Sequence, residues 1–267
     1  MNNMDIVKAV KDGMKKSADA TYLMDFRSGA KINTEYVATV SIGLSLLEIK
    51  SFRHGDYKVI FEYHTNKFIN ATVPLSKRSD PQKTFSKKTV RKNTNTTRSG
   101  RIDIAILDSR PFFDIPICAI EVKGNAPCKS LLFSDIRRNL EYFKHTGPTG
   151  NSSLGLALNC SFHSYNDSTK KNYCTTIHHK EDMIRKLKNK YKKYISELNE
   201  EIPDDISVTI DVFTAAEHLL PPDADQYEYE SHIDDLHLTL GVMVIFERKS
   251  ILNWYHLWLR IICLFTI

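Results

Sequence analysis

The sequence predicts an α/β domain built on a mixed β-sheet. Three observations predict it. Between residues 33 and 163 the apolar pattern reads helix, strand, strand, strand, helix, strand. The strand segments alternate or run apolar for seven to nine residues, whereas the helical segments repeat at the helical period. A long amphipathic helix and two more strands then close the chain between residues 164 and 249, as an elaboration of the same domain. A helical segment (1–32) precedes this core, and an apolar tail (250–267) follows it.

Residues 3–16 are expected to be a short helix, with Gly13 a blemish in it. NTEYVATVSIGLSLLEIK (33–50) is a longer one: Asn33 or Thr34 can cap it, and Val37, Val40, Leu44 and Leu47 fall on one face. YKVIFEYHT (57–65) has strand composition. From Asn66 to Gly100 the chain turns polar and reads as a long loop carrying Lys77, Arg78, Lys83, Lys87, Lys88, Arg91, Lys92 and Arg98. RIDIAIL (101–107) alternates as a strand, and IPICAIEVK (115–123) is a second strand after a turn around Arg110-Pro111. KSLLFSDIRRNLEYFKHTG (129–147) is a helix stopped by Gly147-Pro148. LGLALNCSF (154–162) is a core strand, and 178–200 is the strongest helix, with Met183, Ile184, Leu187, Tyr191, Ile195 and Leu198 in step. Segments 206–213 and 236–248 are the closing strands.

A chain of 267 residues can bury a sizeable core, and its 26% charged residues place it with ordinary soluble proteins. The net charge of +5 is compatible with a polyanionic partner without demonstrating one. Five scattered cysteines without CxxC spacing, and an amphipathic start in place of a signal peptide, lead to the expectation of a cytoplasmic protein with free thiols. Residues 250–267 are short for a bilayer span and carry Asn253, His256 and Arg260, so a docked terminal helix or a strongly altered chain end is favoured over a membrane anchor. Cys160, Cys174, His178 and His179 match no zinc-finger spacing, and no phosphate-binding glycine loop is present.

The chemistry concentrates where ICAIEVKG (117–124) ends a strand in Glu121-Val122-Lys123. Alternation puts Asp103, Ala105 and Leu107 on one face of the preceding strand, and Ile102, Ile104 and Ile106 on the other. If the two strands pair with Asp103 opposite Glu121, two carboxylates and an ammonium converge at one sheet edge. Two carboxylates with a backbone carbonyl and waters suit a hard divalent cation such as Mg²⁺. Such a cation polarises a phosphoryl oxygen and lowers the pKa of its bound water, and a lysine beside it can orient or deprotonate that water. The chemistry implied is phosphodiester hydrolysis.

GRIDIAILDS (100–109) followed by IEVKG (120–124) resembles the PD-(D/E)XK nuclease superfamily, with its restriction-endonuclease-like fold. Asp103, Glu121 and Lys123 match that superfamily's Asp … Glu-x-Lys pattern, although no proline precedes Asp103. Glu35, in the first turn of the preceding helix, matches an acid that assists metal binding, so the resemblance implies Asp103, Glu121 and Glu35 as metal ligands and Lys123 beside them. The run TEY … GRIDI … IEVK with a following Asp-x-x-Arg helix (Asp135, Arg138) is similar to a poorly characterised bacterial branch. Glu62 and Arg101 are further candidates. The resemblance covers residues 33–163 and implies a central mixed sheet flanked by helices, Mg²⁺ dependence with Mn²⁺ able to substitute, and a nucleic-acid substrate, DNA before RNA. A DNA endonuclease of bacterial defence or restriction type is the expected function, with a homodimer and a regulatory or activating protein as expected partners and no membrane. A silent nucleic-acid-binding or interaction module of the same fold, or an RNA-directed nuclease, are the alternatives.

Other readings compete at several positions. Glu-x-Lys occurs three times, at 48–50, 121–123 and 247–249, and the middle copy is singled out by the strand before it and the helix and strand after it. Glu35 also suits a helix N-terminus without any metal. Asp135 and Arg138 could pair on a helix surface, where such pairs contribute little. Lys77, Arg78, Lys87, Lys88, Arg91, Lys92 and Arg98 suit backbone phosphates, whereas the basic face of the 178–200 helix reads as ordinary solvation.

Overall fold

The computed structural model describes residues 2–28, 33–73, 100–110, 113–147, 150–165, 176–221, 223–232 and 235–249. In chain order the elements are α1 (Asn3–Ser28), α2 (Thr34–Leu47), α3 (Lys50–Arg53), β1 (Tyr57–His64), α4 (Thr65–Thr72), β2 (Arg101–Arg110) and β3 (Phe113–Asn125). There follow α5 (Lys129–Lys144), the two-residue strands β4 (Thr146–Gly147) and β5 (Gly150–Asn151), β6 (Leu156–Ser164), α6 (Ile177–Glu197), β7 (Ile206–His218), α7 (Gln226–His232) and β8 (His237–Arg248).

Six strands form one mixed sheet in the order β1-β2-β3-β6-β8-β7. Only β3 and β6 run parallel, joined across one face by α5; the other neighbours are antiparallel. β8 lies between β6 and β7, so the closing strands extend the same sheet. Helices cover both faces. Phe68 and Ile69 of α4, Leu132, Ile136 and Leu140 of α5, and Met183, Leu187 and Tyr191 of α6 pack on one side with Ala105, Leu107 and Ala119. Ile6, Val10 and Met14 of α1 and Ala38, Ile42 and Leu46 of α2 pack on the other with Ile104, Ile106, Cys118, Ile120 and Val122. The result is a helix–sheet–helix sandwich with two apolar layers.

Several local expectations are corrected. α1 runs to Ser28, well beyond residue 16, and Gly13 has a packing reason: a Cβ there would lie 2.5 Å from Cα of Ile42, so the glycine lets α1 and α2 cross backbone to backbone. The side of α2 turned to α1 and the sheet buries Ala38, Ile42, Ser45 and Leu46. The expected face is turned outward instead, with Val40, Leu44 and Leu47 exposed. The segment after Thr65 begins with α4, whose Phe68 and Ile69 reach the core. Ile102 leaves its alternation partners and packs with Phe68 and Ile69, while Ile104 and Ile106 stay on the α1/α2 side. Glu62 explains the break. It has φ 52°, and the β1–β2 register skips the Glu62/Asp103 position.

Cys118, Cys128 and Cys160 are free thiols; Cys174 and Cys263 lie outside the described residues. No helix among the described residues is long and apolar enough to cross a membrane. The tail 250–267 also lies outside them.

Candidate active site

The site forms where the C-terminal end of β3 passes between α2 and α5. The register Ile104↔Ile120, extended by one residue, sets Asp103 opposite Glu121. There the side chain replaces the backbone ladder: Oδ2 of Asp103 accepts the Val122 N–H at 2.7 Å. Glu121 and Lys123 lie on the α5 side of the strand by alternation with Ala119, and Val122 packs on the α2 side.

Asn33 caps α2 by accepting the N–H groups of Glu35 and Tyr36, which fixes Glu35 at the helix start. Glu35 Oε1 is 3.4 Å from Lys123 Nζ. Lys123 is also 3.3 Å from Asp135 Oδ2 and donates to the Val122 carbonyl at 3.1 Å. Arg138, one turn along α5, donates to Asp135 Oδ1 at 2.8 Å and to Glu121 Oε2 at 2.5 Å. Charges therefore alternate in a ladder across three elements: Glu35, Lys123, Asp135, Arg138, Glu121. Asp135 and Arg138 belong to the site and are not a pair on an outer helix surface.

Glu121 is 1% exposed, and its Oε1 has no hydrogen-bond partner. Burial pushes its pKa well up; Arg138 counters, and Asp103 and Asp135 push the same way as burial. Burial also raises Asp103, against the Val122 N–H and Lys123. For Lys123, burial alone would favour the neutral amine, but Asp135, Asp103 and Glu35 outweigh it and hold the ammonium above its usual pKa. In this state Lys123 is a charged hydrogen-bond donor and not a base.

Four carboxylates face two cations, an excess of two negative charges when all are ionised. That excess, the partnerless Glu121 Oε1 and the neighbouring Asp103 fit a hard divalent cation. Among the described residues no group of three acids, histidines or cysteines forms a ready-made cage. Mg²⁺ does not require one, because it is commonly held by one or two carboxylates with waters and substrate phosphate completing its shell.

Glu62 and Asp103 line one end of a groove of about 470 Å³ between α2 and β1. Arg101 lies 3.9 Å from Glu62 at the exposed rim. Lys77, Arg78, Lys87, Lys88, Arg91, Lys92 and Arg98 lie outside the described residues. The other Glu-x-Lys copies have different surroundings. Glu48 pairs with Lys16 on the surface. Glu247 accepts from Asn3, and Lys249 donates to the Asp204 carbonyl; Glu247 lies on β8, two strands across from β3 and level with Cys118 rather than Glu121.

Two residues of the site escaped the sequence reading. Asn159 of β6 lies beside Glu121 and accepts from Asn139 of α5 at 2.9 Å, a buried bridge that ties the helix to the strands. The signal was present: Asp135, Asn139 and Tyr142 recur at helical spacing among the apolar residues of α5, and all three are buried.

No protein-family model, curated protein or solved structure matches the chain. The functional reading therefore rests on the geometry of the site.

Proposed function

We propose that the protein is a metal-dependent nuclease with a restriction-endonuclease-like core, hydrolysing phosphodiester bonds in DNA. The observation that carries this reading is the partnerless oxygen of buried Glu121 beside Asp103, within a cluster of four carboxylates and two cations. Asp103 and Glu121 would hold Mg²⁺, with Glu35 close enough to assist through water. The bound ion would supply charge to a phosphoryl oxygen and acidify a coordinated water.

The remaining roles belong to the chain. Lys123, kept protonated by three carboxylates, donates to the attacking water or to a non-bridging phosphate oxygen and offsets charge there. Arg138 opposes the burial that raises the Glu121 pKa and fixes the direction of the carboxylate. Asp135 joins Lys123 to Arg138, so one turn of α5 sets the positions of both. The acidic site would require a cation before a polyanion could approach, which supports a metal as part of this reading.

One observation favours the alternative of a silent interaction module: Arg138 already occupies one oxygen of Glu121. Incubation of the purified protein with plasmid, single-stranded DNA and RNA, in Mg²⁺, Mn²⁺ or EDTA, separates the readings. Metal-dependent cutting that is lost in Asp103→Ala and Lys123→Ala supports the nuclease. Cutting that survives both substitutions sinks the site, and no cutting of any substrate favours the module.

A further inference from the structure

The outward side of α2 carries Tyr36 (70% exposed), Val40, Leu44 and Leu47, and Phe61 of β1 (42% exposed) joins them. Together they line the groove of about 470 Å³ between the two elements. Gly43 makes room for the aromatic wall: a Cβ there would lie 2.1 Å from the Phe61 ring, so the glycine lets the ring rest against the helix. The groove is continuous with the candidate site, because Glu35, Glu62 and Asp103 line one end of it. A strand whose phosphate is held beside Asp103 must leave the site in some direction, and the groove is a path that begins there.

Charge decides which part of a nucleotide this path suits. Among the described residues its lining has three carboxylates and no lysine or arginine. Arg101 stands 3.9 Å from Glu62 at the rim and offsets one of the three. Phosphates therefore gain nothing from the walls between Tyr36 and Leu47, whereas uncharged ring faces gain apolar and aromatic contact. Just past Leu47 the balance changes sign: Glu48 is paired with Lys16 at 2.9 Å, and Lys50 and Arg53 of α3 add positive charge for a phosphate further along the strand. A base inside a duplex shows only its edges in the grooves, since its faces are covered by the stack. Aromatic walls gain from a base only when that face is free.

We infer that the groove is a stacking track for unpaired bases, with Tyr36 and Phe61 as its aromatic platforms, and that the site acts on single-stranded DNA. Tyr36 directly follows Glu35, so the first platform stands at the acidic end and meets the base next to the phosphate being cut. The statement about cutting rests on the nuclease reading; the statement about stacking does not.

Fluorescence anisotropy of a labelled DNA oligonucleotide, single-stranded or annealed to its complement, tests the track in Ca²⁺. The full chain binds the single strand at least about tenfold more tightly than the duplex. Tyr36→Ala and Phe61→Ala each weaken single-strand binding by about 5- to 150-fold, the range for losing one base stack, with duplex binding and the far-UV spectrum unchanged. Tyr36→Phe and Phe61→Tyr keep the wild-type affinity. Equal affinity for strand and duplex overturns the inference, as does a folded Tyr36→Ala that binds the single strand like wild type. A loss shared equally by strand, duplex and an oligonucleotide without bases overturns it too, because it reports a structural defect. Cleavage in Mg²⁺ separates the two readings. Binding that depends on Tyr36 without any cutting leaves the track standing and removes the nuclease reading. Metal-dependent cutting of strand and duplex alike, unchanged in Tyr36→Ala, overturns the track and leaves the nuclease reading standing.

Discussion

Arg138 of α5 donates to Oε2 of Glu121 on β3 at 2.5 Å, and that carboxylate is 1% exposed. The same guanidinium binds Asp135, so it is the sole cation in direct contact with two buried acids among the described residues. Arg138→Met should strand buried Glu121, leave Asp135 to Lys123 alone, and cost about 3–5 kcal/mol of stability. Arg138→Lys should recover part of that loss, because it keeps the charge without the planar fork. Urea unfolding of the three proteins measures the order; equal stabilities would show that the pair is inert.

Glu121→Gln tests the strain held at the site. Burial, Asp103 and Asp135 all disfavour the Glu121 carboxylate, so a neutral amide of the same shape should leave the metal-free protein as stable as wild type or more so. Wild type should gain stability from Mg²⁺, about 2.7 kcal/mol at a hundredfold excess over Kd, and the variant should gain little. Thermal melts with and without Mg²⁺ report both effects. A full Mg²⁺ shift in the variant would remove Glu121 from the ligand set.

Gly13→Ala tests the α1–α2 crossing. The added Cβ meets backbone atoms of Ile42 and Ser41 within 3 Å, and neither can move aside cheaply. Helix propensity predicts a gain of about 1 kcal/mol, whereas overpacking predicts a loss of about 1–3 kcal/mol or more. The contact should prevail, lowering the denaturation midpoint.

His163 sets an acid limit. It is buried against Tyr191, whose hydroxyl is 3.1 Å from Nε2, and burial lowers its pKa to about 4. The unfolded chain takes up a proton below about 6.5 while the folded one refuses it. Stability is therefore complete above pH 6.5 and falls as pH drops toward 4, by about 3 kcal/mol from this group. The difference in stability between wild type and His163→Gln, measured from pH 7 to pH 4.5, should shrink along that interval; a flat difference would show that the imidazole charges freely in the fold.

Much of this architecture is legible in the residues. RIDIAIL and IEVK announce paired strands, and Met183, Leu187 and Tyr191 announce the face of α6 that meets the core. Asp103, Glu121, Lys123, Glu35, Asp135 and Arg138 do come together, because alternation and helical spacing are local rules. What sequence pattern missed depends on the neighbour across a contact. α2 is apolar on two sides, so periodicity could not say that Ala38 and Ile42 would face α1 while Val40 and Leu44 faced outward; Gly13, on another helix, decides it. Likewise the turn of Ile102 into the α4 layer follows from the backbone of Glu62 on the adjacent strand.

The central claim is that Asp103, Glu121 and Lys123 act on one metal-bound phosphate. Its most direct measurement is the rate of DNA cleavage in Mg²⁺ by wild type and by Glu121→Gln, with melts confirming that the variant is folded. The account predicts cleavage by wild type that EDTA abolishes, and at least a hundredfold loss in the variant, the ~2.7 kcal/mol expected for losing one electrostatic contact to the transition state. Wild-type rates in the folded variant, or cleavage that persists in EDTA, would contradict it.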